Sequence, residues 1–283
     1  MNVLSIQSWV SYGHVGNASA VFPMQRLGHE VWAIHTVQFS NHTGYGAWKG
    51  RVYDGPMIEE LVEGMADRGV LGRCDGVLSG YMGSPDIGTA ILQAVSRVRA
   101  ANGAALYCCD PVIGDVGRGI FVRPGIPEFM RDQAVPAADI ITPNQFELEY
   151  LSGRTVTTLA DAIAAVEAVR ARGPKTVMVT SLVTEDTPAD CLDLLACGPK
   201  GRFRLRTPKL SVSVNGAGDA IAALFFVHAA ASGDEAFALS RAASSVFGLL
   251  RRTEEAGSRE ILTVAAQDEF VTPSRIFTPE AIA

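Results

Sequence analysis

The sequence predicts an α/β fold with a mostly parallel central sheet and helices on both faces. Short apolar runs with strand character alternate with longer runs of helical apolar spacing along the whole chain. Polar or aromatic residues also follow strand after strand, where ligands gather in such sheets. Strand–helix alternation implies crossover connections, which make strands parallel and cover both sheet faces. With 283 residues, 48% hydrophobic and 19% charged, the chain is long and apolar enough for a substantial core.

The predicted strands and helices interleave. Strands are predicted at residues 3–7, 30–39, 76–79, 104–109, 140–141 and 176–180. Helices are predicted at residues 16–27, 56–70, 87–101, 145–151, 159–172, 220–231 and 235–251. Residues 191–197 and 202–207 predict a β-hairpin or meander, and the alternating Arg202, Arg204 and Arg206, with Lys209, are interpreted as the solvated face of a strand.

The stretch at residues 38–51 differs from its surroundings. It is rich in Gly, Asn, His and aromatic residues and shows no clear periodicity. Because it is long for a plain connection, we expect it to be a functional loop or lid at the active site. No internal repeat or low-complexity linker divides the sequence, so residues 1–283 are predicted to form a single domain.

Composition argues against several classes of protein. A formal net charge of −6 disfavours nucleic-acid binding, since nothing neutralises a phosphate backbone. No run approaches the roughly 18 apolar residues that a membrane span needs, and the first residues resemble a strand more than a signal peptide. The five scattered cysteines lack metal-binding spacing, which indicates a reducing cytoplasm.

The most informative motif is Asn215-Gly216-Ala217-Gly218-Asp219, directly before a long apolar helix. Glycines permit a tight turn, and a helix that begins there directs free N–H groups and its positive dipole end at an anion. A carboxylate beside an anion suits proton removal from an attacking hydroxyl, which points to phosphoryl transfer to an alcohol. The alternative is a plain helix start, with Asp219 merely favourable to the dipole.

Two further carboxylate groups lie at predicted strand ends. Asp110 and Asp115 flank a Pro/Gly turn, and Asn144 and Glu147 begin a helix at a neighbouring strand end. Together they could hold Mg²⁺, mostly through waters, beside nucleotide phosphates. The alternative is ordinary turn chemistry, in which Asp, Asn, Pro and Gly are the common residues.

Other catalytic motifs are missing from the sequence. There is no Gly-x-Gly-x-x-Gly after the first strand, no Gly-Lys dipeptide as a Walker loop requires, and no Gly-x-Ser-x-Gly elbow. The five histidines show no spacing suited to a metal. The phosphate cradle must therefore be of a different kind.

The chain resembles the pyridoxal kinases of the ribokinase-like superfamily. The Gly-x-Gly-Asp element is common to the superfamily, whereas Thr-Val-Gln-Phe-Ser-Asn-His-Thr at residues 36–43 is typical of vitamin B6 kinases. The matching stretches cover nearly the whole chain, at residues 4–8, 12–17, 36–45, 78–81, 109–115, 139–147, 216–219 and 264–268.

The resemblance implies ATP-dependent phosphorylation of the 5′-hydroxymethyl group of pyridoxal, with pyridoxine and pyridoxamine as further candidates. It implies Mg²⁺ and a homodimer, and leaves open whether a monovalent cation assists. Asp219 matches the catalytic base, with Gly216, Ala217 and Gly218 as the anion hole. The substrate-contacting positions match Ser8, Thr43, Gly44 and Tyr81. The nucleotide and metal side matches Asp110, Asp115, Thr142, Asn144, Glu147 and Thr180, with Asn215 beside the glycine turn.

Three departures from the family pattern leave alternatives open. Trp9 stands where many members carry histidine, Asn215 where a small or apolar residue is expected, and residues 182–189 match poorly. The nearest alternative is a kinase of the same fold for another hydroxymethyl heterocycle, such as hydroxymethylpyrimidine. A non-catalytic pyridoxal phosphate-binding protein is a second alternative, which the Gly-x-Gly-Asp element disfavours, and a nicotinamide dehydrogenase is a distant third.

Overall fold

The computed structural model describes all residues from 1 to 283 and is organised around one ten-stranded sheet. The strands are β1 (Asn2–Val10), β2 (Glu30–Phe39), β3 (Gly50–Val52), β4 (Gly76–Ser79), β5 (Leu106–Cys109), β6 (Gly114–Asp115), β7 (Gly119–Ile120), β8 (Ile140–Ile141), β9 (Thr176–Leu182), β10 (Cys191–Gly198), β11 (Gly201–Pro208) and β12 (Glu280–Ile282). The helices are α1 (Asn17–Arg26), α2 (Gly55–Asp67), α3 (Pro85–Ala101), α4 (Ile126–Phe129), α5 (Val135–Ala137), α6 (Gln145–Ser152), α7 (Leu159–Arg170), α8 (Ala217–Ser232), α9 (Glu235–Glu255) and α10 (Asp268–Val271). No helix combines the length and the hydrophobicity that a bilayer crossing requires.

The strand order places a crevice between β1 and β4. The order is β12-β11-β10-β9-β8-β5-β4-β1-β2-β3, and the six strands from β9 to β2 run parallel. The connection after β1 leads to β2 on one side, whereas the connection after β4 leads to β5 on the other. Ligands bind in open α/β sheets at such a reversal, outside the carboxyl ends of the strands.

Helices cover both faces of the sheet, as the sequence predicts. One apolar cluster joins the sheet to α2, α3, α6 and α7, and a second joins it to α1, α8 and α9. Helix α8 lies deepest, because eight consecutive residues from Ala220 to Val227 are buried. A helix that is apolar on all sides needs cover on all sides, and α1, α9 and the sheet supply it.

Most predicted elements are confirmed, several with the predicted bounds. β2, β4 and β8 begin and end as predicted, and β10 and β11 form the expected antiparallel pair. The elements that sequence periodicity missed are short: β3, β6, β7, β12, α4, α5 and α10. Elements of two to four residues offer too few positions for a repeating pattern, and β8, which is equally short, was found only as an apolar pair directly before a Thr-Pro turn.

The stretch at residues 38–51 is largely a hairpin at the sheet edge. β2 and β3 pair antiparallel, with Phe39 opposite Gly50, and a single turn of 3₁₀ helix at Thr43–Tyr45 forms the tip. The Phe39 and Trp48 rings stack with their centroids 4.0 Å apart. The hairpin tip therefore stands beyond the carboxyl end of β2, next to the crevice.

The basic residues of β11 lie on the more exposed face of the strand, as interpreted, because the intervening Leu205 and Thr207 are buried, but this face is largely occupied by ion pairs. Arg204 forms ion pairs with Asp186 and Glu280, and Arg206 makes two hydrogen bonds of 2.6 and 2.7 Å to Asp193. The Asp193 side chain is only 1% exposed. The segment after β9 and the terminal strand β12 cover this face, and neither could be placed there from local sequence.

We predict that Arg206→Ala lowers the free energy of unfolding by about 2–3 kcal/mol, because it leaves the buried Asp193 carboxylate without its cation. Urea denaturation measures the loss. The matched control is Arg202→Ala, whose partner Glu167 is 37% exposed, so that the loss should stay below about 1 kcal/mol. Equal losses in the two variants would show that the burial of Asp193 does not increase the contribution of its ion pair to the free energy of unfolding.

Candidate active site

The glycine turn before α8 is fixed by a close backbone contact. Gly216 caps the helix with φ +92°, and a Cβ atom there would lie 1.8 Å from the carbonyl oxygen of His14. The Ser19 hydroxyl donates a 2.7 Å hydrogen bond to the Gly216 carbonyl, which ties the turn to α1. No other residue type could occupy this position without moving one of the two chain segments.

Gly218 has a different reason to be glycine. It lacks a positive φ, and a Cβ there would meet no protein atom within 4 Å. The expectation that both glycines serve the turn is therefore corrected: Gly216 makes the turn, and Gly218 leaves open space in front of the first amides of α8. Such bare amides at a helix start are suited to an anion.

Asp219 lies in the first turn of α8, partly exposed at the crevice. Burial raises the pKa of its carboxyl to about 6, although the amides of Gly16 and of Asp219 itself favour the anion. A helix dipole alone would lower this pKa, so burial dominates the environment of the carboxyl. At neutral pH the group is ionised yet close to its titration range, as a proton acceptor requires.

The strand ends beside Asp219 bring further carboxylates together, as predicted. Asp110 follows β5 and accepts a 2.9 Å hydrogen bond from the Thr142 hydroxyl, which follows β8. Burial raises the pKa of Asp110 well above its usual range, and the charges of Glu147 and Asp219 add to the rise. The charges of Glu147 and Asp219 thus lie near enough to disfavour ionisation of Asp110.

Glu147 is held firmly by the backbone around it. It forms a capping box with Asn144, and its carboxylate also accepts hydrogen bonds from the amides of Ile113 at 2.9 Å and Gly114 at 3.4 Å. Burial raises its pKa to about 8. The side-chain amide of Asn144 in turn donates a 2.8 Å hydrogen bond to the Gly114 carbonyl. These contacts fix the loop that carries Asp110 and Asp115 against the start of α6.

Asp115 ends the two-residue strand β6, and its carboxylate accepts a 2.8 Å hydrogen bond from the amide of Val116. No three His, Cys, Asp or Glu side chains converge as a ready metal cage. A cation at this edge would therefore need ligands beyond the protein side chains, such as water and phosphate oxygens.

An apolar cleft of about 180 Å³ opens beside Gly218. Leu192, Leu194 and Phe247 line it, and Thr180 and Ser181 form its polar rim. Thr180 bridges to Asn144, which joins the cleft to the carboxylate region. A mainly apolar cleft that opens beside the first residues of a helix is suited to a ligand that has both an apolar part and an anionic part.

Ser181 lines the cleft beside Thr180, although only Thr180 was among the site residues predicted from the sequence. Its φ of +51° is the only positive value outside glycine, and the β9–β10 register shifts beside it. Strained backbone of this kind accumulates at ligand sites. Serine gives no sequence signal for the left-handed conformation, so the strain at this strand end could not be predicted.

On the other side of Asp219, Ser8 and Tyr81 line the crevice between β1 and β4. Ser8 is buried against Gly16, where a Cβ would come within 2.2 Å of the Ser8 hydroxyl oxygen. The amide of Gly16 also faces Asp219, so Gly16 lies between two predicted site residues, Ser8 and Asp219. Tyr81 is half-buried, burial raises its pKa, and its carbonyl accepts a 2.8 Å hydrogen bond from Thr36.

The hairpin tip approaches the glycine turn through two residues. His42 and the Asn215 side chain are 3.3 Å apart, and a Cβ on Gly44 would lie 3.3 Å from the same Asn215 amide. Thr43 and Gly44 are exposed at this tip, facing outward from the hairpin core. Glu260, from the segment after α9, also contacts the tip and was not foreseen from the sequence. Trp9 packs on the ring of His35.

Known proteins resemble this chain along its full length. A pyridoxal kinase of Granulibacter bethesdensis is 66% identical, with 98% of each chain covered. One from Deinococcus radiodurans is 56% identical over 99% of this chain and 96% of its own. The chain belongs to the pyridoxal kinase family. The family model described as phosphomethylpyrimidine kinase matches residues 72–263.

Solved structures of the family share the fold. The pyridoxal kinase of Leishmania donovani in complex with ADP and pyridoxamine is 32% identical, with a TM-score of 0.91 over 100% of this chain and 99% of its own. The Trypanosoma brucei pyridoxal kinase is 30% identical, with a TM-score of 0.86 over 99% of each chain. The ribokinase-like fold expected from the sequence is thereby confirmed, and the chain is an enzyme of the kinase class.

The two glycines predict different outcomes. Gly216→Ala should lower the melting temperature by several degrees, because the added Cβ overlaps the His14 carbonyl in a left-handed turn. Gly218→Val should fold with a nearly normal melting temperature but lose turnover of ATP at least tenfold, since its side chain fills the space before the α8 amides. Differential scanning calorimetry and a coupled ADP assay measure both. Near-normal turnover in Gly218→Val would mean that no phosphate approaches there.

Proposed function

We propose that the protein transfers the γ-phosphoryl group of ATP to the 5′-hydroxymethyl group of pyridoxal, with pyridoxine and pyridoxamine as further substrates. The observation that carries the proposal is Asp219, a carboxyl with pKa about 6 in the first turn of a helix whose leading amides are bare. Family membership supports the substrate class, and the L. donovani relative holds ADP together with pyridoxamine.

Asp219 is the proposed general base. It accepts the proton of the 5′-hydroxyl as that oxygen attacks the γ-phosphorus, and the pKa of about 6 keeps it ionised at neutral pH. The Gly16 amide orients the carboxylate from the other side of the crevice. The fixed position of Gly16 against Ser8 determines where an attacking hydroxyl can lie relative to the base.

The amides of Gly216, Ala217 and Gly218 form the proposed anion hole. They stand at the positive end of α8, and they would stabilise the negative charge on the transferring phosphoryl group. Since the His14 contact and the Ser19 hydrogen bond fix the turn, these donors need no reorganisation when the charge develops. Asn215, which precedes the turn, connects the hole to the hairpin tip.

Ser8, Thr43, Gly44 and Tyr81 are the proposed substrate contacts. Ser8 lies near the carboxyl end of β1, inside the strand that the sequence predicted to end at residue 7, and Tyr81 follows β4, so a flat pyridine ring would lie at the strand reversal between the sheet edge and the hairpin tip. Tyr81 offers an aromatic face to the ring. The hydroxyls of Ser8 and Thr43 supply hydrogen bonds to the polar ring substituents.

The nucleotide would lie along Asp110, Thr142, Asn144 and Thr180, with its base in the apolar cleft. The donor set fits Mg²⁺ that is bound through waters and ATP phosphates, with Asp110, Asp115 and Glu147 as its carboxylates. The mutual repulsion recorded at Asp110 supports this, because a cation there would relieve it. Mg²⁺, when bound, would neutralise phosphate charge. Whether a monovalent cation assists is tested by varying that cation in an ATP-consumption assay.

A second candidate substrate is hydroxymethylpyrimidine, which the description of the matching family model favours. An ATP-consumption assay with pyridoxal, pyridoxine, pyridoxamine and hydroxymethylpyrimidine decides between them. We expect a higher kcat/KM for at least one B6 vitamer, since the full-length relatives are pyridoxal kinases. Turnover of the pyrimidine alone would overturn the proposed substrate, and no turnover at all would favour a non-catalytic binding protein.

The assembly and compartment are part of the same proposal: a homodimer in the cytoplasm. All five cysteines are free and most are buried, which is compatible with a reducing compartment. Light scattering on the purified protein measures the assembly state directly.

Asp219→Asn should lower kcat by about 10²–10⁴-fold, because it keeps the shape but cannot accept a proton. Binding of ATP and of pyridoxal, measured by calorimetry, should be retained. The wild-type kcat should fall about tenfold per pH unit below pH 6, where Asp219 becomes protonated. A fall in kcat of less than tenfold on substitution would mean that Asp219 is not the base.

Stability provides the control for this experiment. The folded pKa is raised from 3.8 to about 6, so ionisation of Asp219 costs stability above pH 6 and costs nothing below pH 4. The cost is at most about 3 kcal/mol at about 1.4 kcal/mol per unit. The stability of Asp219→Asn relative to the wild type should therefore increase between pH 4 and 6. A pH-independent difference would contradict the raised pKa.

A further inference from the structure

Glu260 lies where three separate parts of the chain meet. Its Oε1 atom accepts a 2.6 Å hydrogen bond from the Tyr45 hydroxyl and lies 3.3 Å from Nε2 of His42. Its Oε2 atom accepts the amide of His14 at 3.3 Å. The side chains of Glu260 and His42 are each only 13% exposed. None of the assigned catalytic or binding roles uses this carboxylate.

The contacts continue from Glu260 to the anion hole. With Nε2 of His42 facing a carboxylate, the proton belongs on Nε2, and Nδ1 accepts the Asn215 amide at 3.3 Å. Asn215 directly precedes Gly216, and the His14 carbonyl touches Gly216. Glu260 therefore reaches the glycine turn by two routes, through His42 and Asn215 and through the His14 backbone.

Tyr45 is held as tightly as His42. Its ring lies 4.6 Å from the His42 ring and 6.1 Å from the Tyr12 ring, and the Arg259 guanidinium stands 4.9 Å from its centroid. The hydrogen bond to Glu260 raises the pKa of Tyr45 to about 12. Neutral Tyr45 thus donates to the carboxylate throughout the neutral range.

We infer that Glu260 is a positioning residue that holds the hairpin tip, together with the flanking loop over residues 40–50, against the glycine turn. It thereby sets the affinity for the B6 substrate. Thr43 and Gly44 lie between the anchored residues His42 and Tyr45, so release of the tip would displace them. The proposed nucleotide cleft is lined mainly by β9, β10, β11 and α9, with which Glu260 makes no hydrogen bond or ion pair, and also by Ala217, Gly218 and Ile221 of α8. The inference rests on the proposed function for the identity of the ligand.

Only an ionised carboxylate satisfies this arrangement. The Tyr45 hydroxyl, His42 Nε2–H and the His14 amide are all donors that converge on Glu260. In Glu260→Gln one of the two oxygens becomes an NH₂ group, which would face at least one donor without an acceptor between them. The loss of a charge-assisted hydrogen bond and an unpaired donor should together loosen the tip.

The test compares Glu260→Gln with Glu255→Gln, which removes the same charge from an exposed residue at the end of α9. We expect amide hydrogen exchange across residues 40–50 to accelerate about tenfold in Glu260→Gln alone. The Kd for pyridoxal should rise about tenfold and the Kd for ATP less than twofold, both by calorimetry. The melting temperatures of the two variants should agree within a few degrees.

Tyr45→Phe provides a second variant that keeps the ring contacts and removes one donor. We expect a Kd for pyridoxal about threefold weaker, and a double variant with Glu260→Gln that is less impaired than the product of the two single effects. Unchanged exchange across 40–50 in both single variants overturns the inference, as does an equal rise in the Kd for ATP and pyridoxal. A wild-type chain that binds pyridoxal but never phosphorylates it overturns the proposed function alone, because exchange and Kd still report on Glu260.

Discussion

The site depends on one close approach of two backbones, at Gly216 and the loop between β1 and α1. Gly216 touches the His14 carbonyl, and Gly16, in the same loop, touches Ser8 and points its amide at Asp219. Any side chain at either glycine would push the start of α8 away from β1. Because α8 is buried on all sides, its position is determined by the core. Packing of the core thus fixes the distance between the base, the anion hole and the substrate contacts.

Electrostatics in this region oppose folding and favour ligand binding. Asp110, Glu147 and Asp219 share a poorly solvated edge, and burial raises the pKa of each. Their hydrogen bonds to Thr142 and to the backbone amides of Ile113 and Asn144 offset part of the cost. The raised pKa values mean that full ionisation of these three carboxyl groups is unfavourable unless a cation compensates their charge. Strain of this kind is typical of sites that are preorganised for a charged ligand.

The sequence predicted those parts of the fold and site that depend on local patterns. Most of the longer elements were found, and the glycine turn before a buried apolar helix was found as well, because its signal is contained in five residues. The roles of Gly218, Ser181, Gly16 and Glu260 were misread or missed. Each depends on a neighbour distant in sequence, such as His14 and Glu260, which are separated by 246 positions. The ion pairs of β11 were missed for the same reason, since β12 had no pattern to announce it.

The two halves of the site are built by different forces, and this has a consequence for specificity. The proposed nucleotide half is an apolar cleft between the sheet and α9, formed by side chains that the core already orders. The proposed substrate half includes a hairpin tip at the sheet edge that is held mainly by polar contacts to Asn215 and Glu260. Polar contacts at a sheet edge can be replaced without disturbing the core, whereas substitutions in the cleft also disturb the packing of the core. Members of one fold can therefore exchange the alcohol that they phosphorylate, through the tip and the residues that anchor it, while the phosphate donor and its chemistry stay the same.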